Sequence, residues 1–74
     1  MNKQEIKEIM AIARPAIYAL YGRYGSLELV KYNIVTLDSI WIQVDRINYG
    51  NRDNYTLHIE NGVITTLSER ELNV

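Results

Sequence analysis

The chain has 74 residues, a formal net charge of −1, no cysteine and one histidine. One domain, 1–74, is expected, and a disulfide framework, a thiolate metal centre and a multi-histidine site within one chain are excluded. Charges of both signs are scattered, with no basic tract, no acidic tail, no apolar run of about 18 residues and no signal-peptide pattern, so the expectation is a cytoplasmic protein without membrane contact.

Asn2 can cap a helix, with Glu5 three residues on. Ile6, Ile9, Met10, Ala13, Ala16, Ile17, Leu20 and Tyr21 then recur at helical spacing, while Lys3, Lys7, Glu8 and Arg14 project opposite. The spacing predicts an amphipathic helix over Lys3–Tyr21. Pro15 inside it removes the bond to the Ala11 carbonyl, which predicts a kink there in preference to two abutting short helices. Gly22 and Gly25 are stop signals. The stretch Gly22-Arg23-Tyr24-Gly25 lacks the preceding strand and following Lys-Ser/Thr of a phosphate loop, so it reads as a turn.

Leu27–Leu37 is strand-like, with Val30, Tyr32, Ile34 and Val35 as β-formers. Asp38-Ser39 reads as a two-residue turn. Ile40–Ile47 is the clearest strand, with Ile40, Ile42 and Val44 alternating against Trp41, Gln43 and Asp45. Asn48–Asn54 is polar and turn-rich and reads as the longest irregular segment. Tyr55–Glu60 and Val63–Leu67 flank Asn61-Gly62, the strongest short hairpin signal because both central residues of a type I′ turn need positive φ. Ser68 with Glu71 predicts a short helical turn over Ser68–Asn73. The fold class is therefore α+β: an N-terminal helix, kinked near Pro15, on one face of a four-stranded antiparallel meander in order 1-2-3-4, with a short C-terminal helical turn.

Little in the chain carries chemistry. Asp38, Ser39 and His58 supply the residue types of a nucleophilic site without any motif around them, so His58 reads as a solvated or cross-strand-paired histidine. Asp45, Asp53 and Glu60 match no calcium-loop spacing, and Arg46 and Arg52 flank two of them, so surface ion pairing is expected. No catalytic residue, metal ligand or cofactor is assigned.

The apolar surface is more informative. If Asp38-Ser39 is the turn, Thr36 pairs with Trp41, and Val35, Leu37, Ile40, Ile42 and Val44 share one face. Val30, Tyr32, Ile34, Trp41 and Ile47 share the other. One helix covers only one face, and a contiguous exposed patch usually marks an interaction surface. On the helix, Arg14 and Tyr18 lie one turn apart on the polar side and form a second candidate contact, since both types are enriched at interfaces.

The expected function is that of a non-enzymatic interaction protein. It self-associates, as a homodimer, or binds and modulates a larger protein partner through Trp41, Tyr32, Ile34, Ile47, Arg14 and Tyr18. A chain this short buries only about 60% of its unfolded surface, and oligomerisation is the staple its composition leaves open. A small phage or mobile-element inhibitor fits that description. The alternative is a single-stranded nucleic-acid-binding module that stacks bases on a face shared by Tyr32 and Trp41.

Overall fold

The computed structural model describes residues 2–36 and 38–69. Helix α1 spans Lys3–Tyr21, followed by β1 (Ser26–Thr36), β2 (Ser39–Asn48), β3 (Asn51–Glu60) and β4 (Val63–Ser68). The strands form one antiparallel sheet in order β1-β2-β3-β4, the predicted meander. The fold is α+β, with the helix on one sheet face.

The helix begins as its sequence requires: the Asn2 side chain accepts from the Glu5 N–H at 2.9 Å. It runs unbroken through Pro15, so two abutting helices are set aside. It ends at Gly22, at φ +94°, whose N–H donates to the Tyr18 carbonyl at 3.0 Å. Ile9, Met10, Ala13 and Ile17 are buried, with Ile6, Ile12 and Tyr21 packed beside them. Leu20 departs from the prediction and is 67% exposed. It lies at the last turn, where the stripe toward the sheet is continued by Tyr21, whose ring meets Tyr55 at 5.1 Å.

Three features of the sheet differ from the sequence reading. The expected Asn48–Asn54 loop is a two-residue turn, Tyr49-Gly50, with both residues at positive φ. Asn51–Asn54 belong to β3, pairing with Asp45–Asn48. Polarity misled because two of these side chains bond across the hairpin: Arg52 donates to Asp45 at 2.8 Å and Asn54 donates to Asp45 at 2.9 Å.

The first hairpin closes at a different place. Thr36 pairs with Ser39, which makes Ser39 the first residue of β2, and Trp41 pairs with Asn33 instead of Thr36. That is a slide of three positions, and an odd slide exchanges the faces of one strand relative to the other. Register breaks between Leu29 and Lys31 and between Ile34 and Thr36 place one extra residue, Val30 and Val35, in β1 at each point. The first break brings the out-of-phase pairs Leu27/Leu29 and Tyr32/Ile34 to one face.

Opposed residues share a face. The helix-covered face therefore carries Leu27, Leu29, Tyr32 and Ile34 of β1, opposite Arg46, Val44, Ile42 and Ile40 of β2. Tyr55, Leu57 and Ile59 of β3 continue it. Trp41, Gln43, Asp45 and Ile47 point to the open face. The grouping of Tyr32 and Ile34 with Trp41 and Ile47 is thus corrected. Asn61-Gly62 forms the predicted turn, at φ +51° and +78°. Of the predicted C-terminal turn, Ser68 closes β4, and residues 70–73 lie outside the described residues.

Candidate functional site

The predicted contact residues separate into three places. Tyr32 and Ile34 lie on the far half of β1, on the helix side, with Val30 and Val35 as bulge residues beside them. These four are 42%, 51%, 52% and 58% exposed, respectively. β1 is an edge strand, and each of its residues from Val30 to Thr36 is exposed. Ile40, the partner of Ile34, lines a shallow open depression of about 240 Å³ with Ile9 and Ile12 of the helix and Ile59 of β3. An apolar shelf, edged by Glu8, Asp38, Asn61 and Gly62, thus runs from the helix flank across Ile40 to Ile34 on the outer half of β1.

Trp41 occupies the open face, where its ring stacks on His58 at 4.5 Å and 20°. Both imidazole nitrogens have hydroxyl neighbours: Nε2 lies 2.6 Å from Ser39 Oγ, and Nδ1 lies 2.6 Å from Thr65 Oγ1. His58 is therefore the cross-strand-paired residue expected, but Ser39, which no motif marked, stands directly beside it. Ile47 is half-buried on this same face, opposite Ser26.

Tyr18, near the end of α1, is half-buried. The guanidinium groups near the Tyr18 ring are those of Arg23, at 5.8 Å, and Arg46, at 5.9 Å. Arg14 stays exposed.

Arg46, expected in surface ion pairing, is instead a buried structural centre. It is fully buried on the helix side, its guanidinium 4.0 Å from the Tyr24 ring and 5.3 Å from that of Tyr55. Nη1 donates to the Gly22 carbonyl at 2.7 Å, tying the end of α1 to β2. Nε and Nη2 have no hydrogen-bond partner among the described residues, nor does the Tyr55 hydroxyl. The signal was its position in the alternation: Ile40, Ile42, Val44 and Arg46 are one row. Burial pushes the Tyr55 phenol above its ordinary value, and the Arg46 cation opposes that.

No group of three metal-ligating side chains is assembled among the described residues. Asp45 instead takes part in ion pairing with Arg52, as expected. No described helix is long and apolar enough to cross a membrane. The shared Tyr32/Trp41 platform on which the nucleic-acid alternative rested is divided between opposite faces. Compared with protein-family models, curated proteins and solved structures, the chain matches none.

Proposed function

We propose that this protein works by binding protein, a second copy of itself first, through the outer half of β1. The observation that carries the reading is the row Tyr32 and Ile34 with Val30 and Val35, about half exposed on an edge strand. An edge strand offers unpaired backbone groups to an incoming strand. Antiparallel pairing of two β1 strands about a twofold axis at Asn33 sets Tyr32 of one copy opposite Ile34 of the other. Asn33 then faces its own counterpart, and no lysine meets a lysine directly. Tyr32 and Ile34 of both copies gather on the helix side of the joined sheet. Their burial is worth about 25 cal/mol per Å² of apolar area, less the cost of lost rigid-body freedom. A modulator of a larger protein, of the kind a phage or mobile element carries, would use the same shelf, with the partner's strand or helix replacing the second copy.

Light scattering at micromolar concentration tests the first form. A dimer mass is expected for the wild type and a monomer mass for Ile34→Asp, whose side chain is half exposed in the single chain and does not threaten the core. A wild-type monomer at every concentration overturns self-association.

A further inference from the structure

On the face away from that shelf, three side chains from three strands form a connected chain of polar atoms. Ser39 Oγ is 2.6 Å from His58 Nε2, and His58 Nδ1 is 2.6 Å from Thr65 Oγ1. Thr65 Oγ1 also donates a long bond, 3.4 Å, to the His58 carbonyl. A hydroxyl has one proton. If Thr65 gives it to that carbonyl, it accepts from Nδ1–H, and the ring is the tautomer with a lone pair on Nε2. Ser39 then donates its proton to Nε2. In that tautomer the three groups have the arrangement of an activated nucleophile: hydroxyl, base, and a third group that fixes the base.

The backbone places these groups. Ser39 pairs with Glu60, Trp41 pairs with His58, and the Asn61 N–H donates to the Asp38 carbonyl at 2.8 Å, locking the two hairpin ends together. Thr65 sits at the register break of β4, between Ile64, opposite Ile59, and Thr66, opposite His58. A bulge re-aims a side chain that regular pairing would point elsewhere. The Trp41 ring, stacked on the imidazole, limits its rotation.

We propose that Ser39 is a base-activated nucleophile that accepts an acyl group from an activated ester, with His58 as its general base and Thr65 as the residue that positions the base. Ser39 Oγ forms a bond to the ester carbonyl carbon while its proton passes to His58 Nε2. The bond from that carbon to the leaving alcohol oxygen then breaks, and the Nε2 proton goes to the departing oxygen. The product is an ester on Ser39 plus the free alcohol, with no oxidant or reductant involved. Ser39 is half-buried and Thr65 exposed at the end of an open sheet face, so an ester reaches the hydroxyl without any cavity having to open.

The test is acetylation by p-nitrophenyl acetate, located by peptide mass mapping and timed by nitrophenol release. Ser39 is expected to be the fastest-acetylated hydroxyl in the chain. General-base assistance is worth about 10²–10⁴-fold, so His58→Gln is expected to slow acetylation of Ser39 at least about 100-fold. Thr65→Val is expected to slow it and Thr65→Ser to restore it, a rescue that loss of packing alone would not produce. Thr65 is exposed, so its variants carry the test if His58→Gln does not fold. Acetylation of Ser39 no faster than that of Ser26 or Ser68, or a Ser39 rate unchanged in these variants, overturns the proposal. The oligomer mass is a separate readout, and it stands or falls independently.

Discussion

Arg46 gives the sharpest test of what holds the molecule together. A fully buried cation normally has a carboxylate partner, yet among the described residues Arg46 has one carbonyl and three tyrosine rings. The charged bond to Gly22 is worth about 1.5–3 kcal/mol. Cation–π contact in a desolvated site adds about 2 kcal/mol or more. Against this stand Nε and Nη2, each a buried donor without a partner among the described residues and each costing about 1–3 kcal/mol. Gain and cost nearly cancel, so the guanidinium is expected to contribute mainly by filling its volume. Arg46→Met keeps an unbranched chain against the Tyr24 and Tyr55 rings and is expected to lie within about 1.5 kcal/mol of the wild type, the range of tolerated swaps of similar volume. Arg46→Ala leaves a cavity and is expected to cost about 2–5 kcal/mol. Urea unfolding midpoints, with the slope checked for constancy, separate the two. If Arg46→Met is as damaging as Arg46→Ala, the charge itself holds the fold and this accounting is refuted.

Other substitutions test the face assignments and the sheet chemistry. Ile17→Ala, in a side chain with no exposure, is expected to cost about 2–5 kcal/mol, whereas Lys7→Ala and Leu20→Ala are near neutral; thermal melts of the three decide whether the helix is oriented as described. Gly25→Ala is expected to destabilise by about 1–3 kcal/mol, because φ there is +69° and an added Cβ would lie 2.5 Å from the Ile47 carbonyl oxygen; an unchanged melting temperature refutes that close approach. The folded state holds the Tyr55 proton more tightly than the unfolded chain does, so stability present below the ordinary phenol value of 10.0 is lost as pH rises above it. Tyr55→Phe removes that alkaline loss, which unfolding midpoints measured from pH 8 upward would record. His58→Ala leaves the oligomer mass unchanged, since its side chain faces away from Tyr32 and Ile34; a change in mass would place the docking surface on the open face.

The elements were legible because each had a local cause. A helical stripe, an Asn cap and glycines at φ +94° and +78° act within a few residues, and the sequence marks them directly. Tyr49-Gly50 was missed because a tyrosine at φ +49° is an unusual first turn residue, and the polar Asn51–Asn54 run after it looked like loop. Its strand character comes from partners on β2, above all Asp45, which no local signal announces. Arg46 was assigned to the surface for a similar reason. Its alternation was plain, but the tyrosines that shelter its charge come from the helix, the turn after it and β3.

Register was the decisive hidden quantity, because it converts the same list of apolar residues into different surfaces. A trace of it was present in β1, where Leu27 and Leu29 are one residue out of phase with Tyr32 and Ile34. A regular strand cannot put all four on one side; a strand with an extra residue at Val30 can, and β1 has one there. The phase break therefore assigns Tyr32 and Ile34 to the helix side, where the outer half of β1 runs on past the sheltered core. Trp41 stays on the open face through the regular alternation of β2, available to clamp His58 beside Ser39. One inserted residue thus divides an apparent single patch into an apolar edge suited to another chain and a hydroxyl–imidazole cluster suited to chemistry. Deleting Val30 would join Leu29 directly to Lys31 and make the strand regular, with Leu27, Leu29, Tyr32 and Ile34 still alternating onto one side. Such a variant is expected to keep both the dimer mass and its helix content by circular dichroism; loss of the dimer with the helix retained would show that the shared face of Tyr32 and Ile34 is not what sets the surface.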